Sequence, residues 1–253
     1  MIKLSGVIIT YNEERNIEKC LQSLVNVVDE IVVLDSFSTD NTKAICSKYK
    51  VKFFEQTFLG YVEQKNFALT LASHNYIVSL DGDEALSEAL QQSIINLKTS
   101  WKLDGYFANR FNNFCGQWIK YSDWYPNKKL RVFDRRKAEW KGINPHDRIE
   151  IQNSTATIGH LKGDILHWTY QTYSEFNLKT EHFSTISAKA YYDLGKTAPI
   201  WKIAFNPTWA FFKAYFLRLG FLDGLNGFVI CAQTANITFL KYTKLRELIK
   251  QNS

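Results

Sequence analysis

The first hundred residues alternate short β-branched runs with stretches of helical spacing, and that alternation leaves few architectures open. Val7-Ile8-Ile9 predicts a buried strand, and the apolar positions Ile17, Leu21, Leu24 and Val25 recur at helical spacing behind Asn12, which could cap the helix. Strands follow over Glu30 to Leu34, Val51 to Phe54 and Tyr76 to Leu80, separated by a helix opening near Thr39-Asp40 and another over Tyr61 to Leu71. A further helix is predicted over Ser87 to Leu97. Such an α/β order implies a mostly parallel sheet with helices on both faces and right-handed crossovers. From Gly105 to about Ile158 aromatic-rich segments are punctuated by Asn112-Asn113, Pro126-Asn127, Gly142 and Asn144-Pro145, which suits irregular strands at the sheet edge with specificity-setting loops. Ser174 to Leu194 reads as a long amphipathic helix.

At 253 residues, 45% of them hydrophobic, the chain is long enough to bury a real core, and 4 Pro with 12 Gly exclude a disordered or collagen-like chain. The formal charge of +6 is unevenly placed: from residue 196 on, eight basic side chains face only Asp223 and Glu247, so the preceding residues balance to zero. Two regions are therefore expected, a catalytic domain over 1–195 and a helical, basic and aromatic region over 196–253. Cys20, Cys46, Cys115 and Cys231 are scattered without a C-x-x-C pair, which predicts a reducing compartment. The N-terminus lacks the features of an export signal. The most apolar region, Ala198 to Leu222, is interrupted by Lys202, Asn206, Pro207, Lys213 and Arg218, so it is expected to lie on a membrane and not to cross it.

In an open α/β sheet, ligands bind beyond the carboxyl ends of the strands. Asp35 ends one predicted strand and Asp81 another, and Gly82, Asp83 and Glu84 follow, placing three acids within four residues. Carboxylates so close repel unless a cation or raised pKa values relieve them. Mg²⁺ or Mn²⁺, bound through one or two carboxylates and a substrate phosphate, is one solution. A solvated acidic turn, with Glu84 near the start of the next helix, is the other. The chain has neither G-x-G-x-x-G after its first strand nor G-x-x-x-x-G-K-[ST], which argues against a dinucleotide oxidoreductase and a P-loop NTPase. Gly220, Gly224 and Gly227 read as packing or turn positions.

Four segments in fixed order, Val7 to Glu14, Val32 to Ser36 with Thr39 to Thr42, Gln64 to Leu69, and Leu80-Asp81-Gly82-Asp83-Glu84, resemble the family 2 glycosyltransferases of the GT-A fold. Lys129 to Phe133, Pro145-His146-Asp147, Leu166 to Tyr170 and Phe211 to Gly227 resemble, within that family, bacterial enzymes that add glucose to the lipopolysaccharide inner core. The resemblance implies a UDP-sugar donor, with Asp35 at the base or ribose, Asp81 at the ribose or behind the metal, and Thr10, Tyr11 and Glu13 against the nucleotide. It implies Asp83 as ligand of a divalent Mg or Mn, with His167 a second candidate. Lys65 and Arg131 are candidates for the phosphates, against the commoner role of a solvated lysine.

An inverting transfer also needs a base for the acceptor hydroxyl. Similar enzymes place an acid, often Glu, after a His, which here is Asp147, with Glu150 and Asp123 as alternatives and a salt bridge to Arg148 or Arg131 as the structural reading. His167 beside Trp168 equally suits a hydrogen-bonded packing role, and Lys179 is positioned to reach a phosphate. The tail's aromatics with Lys202, Lys213, Arg218, Lys241, Lys244 and Arg246 suit an anionic lipid surface more than a nucleic acid, although some of these rings are expected to pack on the core. The expected activity is hexose transfer, glucose by resemblance, from a UDP-sugar to a lipid-anchored saccharide at the cytoplasmic face of the inner membrane. A non-catalytic membrane-associated module and a nucleotidyltransferase remain the alternatives.

Overall fold

A computed structural model of the chain describes residues 1–143, 146–152 and 155–252. Its first part runs β1 (Leu4–Thr10), α1 (Ile17–Leu24), β2 (Glu30–Asp35), α2 (Thr42–Cys46), β3 (Lys52–Glu55), α3 (Tyr61–Leu71) and β4 (Tyr76–Asp81). These strands pair in parallel in the order β3-β2-β1-β4. Their continuous apolar runs are explained by burial on both faces. Successive residues feed opposite cores: Ile8, Val33 and Val78 join Leu21, Leu24 and Ile94 on one side, while Val7, Val32 and Ile77 join Ala68 and Leu69 on the other. The register sets Thr10 beside Asp35 and Ile9 beside Asp81, so three strands end level with one another.

The helix after β1 starts later than Asn12 suggests. Asn12 adopts a left-handed φ of 53° in the preceding loop, α1 begins at Ile17, and Val25 is its exposed C-cap. Capping by Asn12 is thus corrected: its side chain accepts a hydrogen bond from the Thr39 amide at 2.8 Å and is spent on another loop.

Then come β5 (Glu84–Leu86), α4 (Glu88–Ser100), β6 (Gly105–Phe114), β7 (Gln117–Trp118), β8 (Asn127–Asp134), β9 (Ala138–Ile143), β10 (His146–Ile151) and β11 (Ile158–Tyr170). Ser87 caps α4 by accepting from the Leu90 amide at 3.3 Å. The large sheet continues past β4 as β8-β6-β11-β5, with β7 on β6, and the β4–β8, β8–β6 and β11–β5 pairs are antiparallel. The aromatic-rich strands are therefore not confined to the edge: Val132 and Phe133 are buried, and β8 lies between β4 and β6. Burial on both faces outweighed the turn signals around this strand. β9 and β10 form a separate antiparallel pair. The Asn144-Pro145 turn expected between them lies outside the described residues.

The chain divides into two compact units, Met1–Phe111 with Asn127–Trp168, and Asn112–Pro126 with Thr169–Ser253. The boundary drawn after residue 195 falls inside the second. That unit contains α5 (Tyr173–Asp193), α6 (Ile200–Phe212), a π-helical turn over Lys213–Leu217, a 3-10 turn over Gly220–Asp223 and α7 (Gly224–Gln251). Phe114, Ile119, Phe176 and Ile230 form one of its cores, and Asp223 accepts from the Lys120 and Tyr121 amides at 3.2 and 2.8 Å. Several tail cations have protein partners: Arg218 pairs with Asp123 at 2.9 Å and Lys244 with Glu181 at 2.6 Å. Helix α6, by contrast, buries none of its residues.

Glycine is required at 227, where an added Cβ would lie 1.9 Å from the Gly220 carbonyl oxygen. Gly227→Ala should cost about 1–3 kcal/mol as overpacking, lowering the melting temperature by about 2–4 °C per kcal/mol. Thermal circular dichroism checks this, and an unchanged midpoint would contradict the contact.

Candidate active site

The level strand ends are held by a zipper between the loops that follow β1 and β2. The Asn12 amide donates to Ser38 Oγ at 2.8 Å, the Glu13 amide to Thr42 Oγ1 at 2.8 Å, and the Glu14 amide to Asp40 Oδ2 at 3.0 Å. Asp35 is buried and holds its own loop, accepting from the Ser38 amide at 2.6 Å and from Ser38 Oγ at 2.5 Å. Thr10 is also buried, and its hydroxyl has no hydrogen-bond partner among the described residues. A Cβ on Gly82 would lie 2.7 Å from that hydroxyl and 3.2 Å from Glu13 Cγ, so the missing side chain lets β4's end approach β1's. Tyr11 stands at the same edge with its side chain 57% exposed.

Asp81 at the end of β4 and Glu84 after it share protein counter-ions. Lys65 Nζ, on α3 and almost wholly buried, lies 2.9 Å from Asp81 Oδ1 and 2.8 Å from Asp147 Oδ2. Arg131 on β8 reaches Asp81 and Glu84 with Nη2, both at 3.0 Å, and Arg110 Nη1 lies 3.5 Å from Glu84. Glu84 is completely buried in β5 and also accepts from the Asp81 amide at 3.1 Å. The indole of Trp140 lies under both cations, 4.4 Å from Lys65 Nζ and 5.2 Å from the Arg131 guanidinium carbon. Burial, the largest influence on Asp81, pushes its carboxyl up, but the adjoining Lys65 and Arg131 charges overcome it and hold Asp81 well below the usual carboxylate range.

Asp83 is placed differently. β11 pairs with β5 so that His167 lies opposite Glu84, and the Trp168 amide donates to the Asp83 carbonyl at 3.0 Å. This register brings His167 Nε2 within 3.2 Å of Asp83 Oδ2, with both side chains partly exposed. One carboxylate and one imidazole suit a divalent cation that takes its remaining ligands from water and phosphate oxygens. Among the described residues no group of three or more His, Cys, Asp or Glu side chains is arranged to hold a metal, so these two side chains would supply only part of a coordination shell.

Beside Asp81 opens a cleft of about 430 Å³ within the first unit, with Asp147 and Ile149 of β10 on one wall and Lys129 and Arg131 of β8 on another. Its lining includes Lys65, Asp81, Arg131 and Asp147 of the expected site residues, but not Thr10, Tyr11, Glu13, Asp35, Asp83 or His167. Asp147 pairs with Lys65, whereas Arg148 turns to Glu150 at 2.6 Å. Glu150 is absent from the cleft lining, and Asp123 belongs to the second unit, as does Lys179, whose Nζ lies 5.0 Å from the Tyr170 ring centre.

Glu84, Arg110, Lys129 and Trp140 have site contacts for which sequence reading gave no functional role. Glu84 was legible as one of the three acids within four residues and Lys129 as the start of the Lys129 to Phe133 segment, whereas Arg110 and Trp140 carried no signal.

Residues 5–153 match the family model described as Glycosyl transferase family 2. An "Uncharacterized glycosyltransferase" of Rickettsia felis is 32% identical over 98% of this chain and 90% of its own length. The lipopolysaccharide core biosynthesis glycosyltransferase LpsC of Rhizobium meliloti is 29% identical over 96% of this chain and 92% of its own. The structure of S. aureus TarS residues 1-349 in complex with UDP aligns with 100% of this chain and 92% of that chain, at 15% identity and a TM-score of 0.49.

The depressed Asp81 carboxyl should be visible in acid. Its contribution is intact above the unfolded carboxylate value of about 3.9 and is lost as pH falls through the lower folded value. Asp81→Asn should cost about 2 kcal/mol at pH 7, discounted for its partial exposure, and the gap to wild type should close progressively below about pH 4. Urea unfolding at a series of pH values measures this; a gap constant down to pH 2.5 would contradict the charge assignment.

Proposed function

The chain belongs to glycosyl transferase family 2, and from that premise we propose that it is an inverting, metal-dependent hexosyltransferase. In this reading it moves glucose from a UDP-sugar to a lipid-linked glycan of the lipopolysaccharide core class. The observation that carries the reading is the position of Lys65, which bridges the strand-end carboxylate Asp81 to Asp147, 82 residues away from it in sequence. This supports the reading because Asp147 lies beside Asp81, at a strand end of the kind where an α/β sheet receives its ligand.

The donor's nucleotide is assigned to the ends of β1 and β2. The Tyr11 ring offers a stacking face, and the Thr10 hydroxyl and the Glu13 side-chain stem flank Gly82. Asp35 fixes the loop from within, so its role is to shape the nucleotide site. Asp83 and His167 would hold Mg²⁺ or Mn²⁺, which would supply Lewis-acid neutralisation of the leaving diphosphate. Asp147 takes the proton of the acceptor hydroxyl as that oxygen bonds to the anomeric carbon and the carbon–phosphate-oxygen bond breaks on the opposite face. Lys65 orients the Asp147 carboxylate, and Arg131 keeps Asp81 ionised. The name of the R. meliloti relative supports a core saccharide acceptor.

A lipid-anchored acceptor fits the second unit's surface. Ile200, Trp201 and Phe205 are each more than 60% exposed, and Trp209, Phe212, Phe216, Phe221 and Leu225 continue the apolar surface. No single described helix is long and apolar enough to cross a membrane; a pair bent by 71°, Ile200–Leu217 with Gly220–Gln251, passes that test only together. We assign this surface to the inner leaflet at the cytoplasmic face, where rings sit at headgroup level and Lys202 and Lys213 gain about 1 kcal/mol each near anionic lipid.

Turnover tests the chemistry. Asp147→Asn should reduce UDP release in the presence of a lipid-linked acceptor extract by at least about a thousandfold while UDP affinity stays within threefold; undiminished transfer would refute the assignment. Replacing Trp201, Phe205 and Trp209 together by Ser should abolish co-sedimentation with phosphatidylglycerol vesicles without changing the far-ultraviolet spectrum. Equal sedimentation of both proteins would remove the membrane assignment.

A further inference from the structure

The cleft beside Asp147 has an unbalanced charge. Six basic side chains, Lys65, Arg110, Lys128, Lys129, Arg131 and Arg148, line it against two acidic ones, Asp81 and Asp147. Part of this excess is neutralised, because Lys65, Arg131 and, at 3.5 Å, Arg110 serve Asp81, Asp147 and Glu84, and Arg148 serves Glu150. Lys128 and Lys129 have no carboxylate within ion-pair distance among the described residues. Lys129 is crowded as well: burial and the nearby charges of Arg110 and Arg131 push its ammonium down to about 8, although Glu84 and Asp147 oppose them. On lining residues of the same cleft, Arg131 Nε and Nη1, Arg110 Nε and Trp140 Nε1 are buried N–H groups without an acceptor among the described residues. Unpaired donors and crowded cations at one site are costly unless an anion balances them.

This anion is not the donor's diphosphate if the proposed function holds. Donor contacts were assigned to Thr10, Tyr11, Glu13, Asp83 and His167, none of which lines the cleft, whereas the base that must touch the acceptor does. We infer that the acceptor sugar carries an oxyanion, a phosphate or a carboxylate, close to the attacking hydroxyl, and that Lys129 with Arg110 reads it. The inference rests on Asp147 being the base. It makes the enzyme selective for acidic saccharides: a neutral acceptor of the same shape leaves the cations unbalanced, so selection arises from the cost of the wrong partner as well as from attraction to the right one.

Isothermal calorimetry on the full chain, saturated with UDP and Mg²⁺, tests this with four probes: glucose, glucose 6-phosphate, glucuronate and inorganic phosphate. Glucose 6-phosphate or glucuronate should bind at least tenfold more tightly than glucose, and whichever is preferred identifies the oxyanion. Lys129→Gln should remove that preference and Lys129→Arg should retain it, with thermal melts confirming that both variants fold. Binding of inorganic phosphate as tightly as either charged sugar would mean that the cleft holds a free ion, which overturns the acceptor assignment. So would competition between phosphate and UDP, equal affinity for charged and neutral sugars, or a preference that Lys129→Gln leaves intact. Wild type that binds UDP with any of these results overturns the inference and leaves the transferase reading standing; wild type that binds no UDP overturns both.

Discussion

The structure depends on how one carboxylate-rich turn is charge-balanced inside a folded chain. Asp81, Glu84 and Asp147 converge in a largely buried region, and Lys65, Arg131 and Arg110 from three other elements supply the opposite charges, which hold the Asp81 carboxyl well below its usual range. Removing a single member would strand an opposite charge, which is far costlier than losing the interaction itself. These ion pairs link α3, β4, β5, β6, β8 and β10. Stability and the shape of the site thus depend on the same contacts.

That network also divides the labour among the acids. Acids packed this densely can be relieved by a metal or by protein cations, and both solutions are available here at different residues. Asp81 and Glu84 are satisfied by lysine and arginine, while Asp83 turns to His167 at 3.2 Å. In the proposed mechanism Asp83 and His167 would be the protein's contribution to holding a divalent cation that would neutralise the diphosphate. Lys65 and Arg131, expected at the phosphates, are engaged with carboxylates. The exposed aromatic surface of α6 is an independent feature, since none of its residues contributes to either core of the first unit.

Much of this was legible in the sequence because parallel strands buried on both faces leave continuous apolar runs. Tyr61–Leu71 appears as the predicted helix, and Asp35 and Asp81 end their strands. Capping by Asn12 was misread because an Asn with positive φ has the same local signature whether it caps a helix or ties two loops. The central place of β8 was hidden because antiparallel pairing depends on partners distant in sequence: Val78 on β4 meets Val132. Glu84 could be read only as part of a cation-binding cluster or of a solvated turn, and its burial was hidden for the same reason. Its burial is determined by Arg131 and Arg110, and no local pattern announces them. Conversely, the closeness of His167 to Asp83 follows from the β11–β5 register, which a sequence shows only through resemblance.

The central claim is that Asp83 and His167 form the protein's share of a cation site at the end of β4, apart from the charge-paired carboxylates. Nuclear magnetic resonance of the imidazole protons during titration of the UDP-bound protein with Mn²⁺ tests it most directly. The account predicts that the His167 signals broaden beyond detection at substoichiometric Mn²⁺, before those of His74, His160 and His182. Retention of the His167 signals at stoichiometric Mn²⁺ would contradict it.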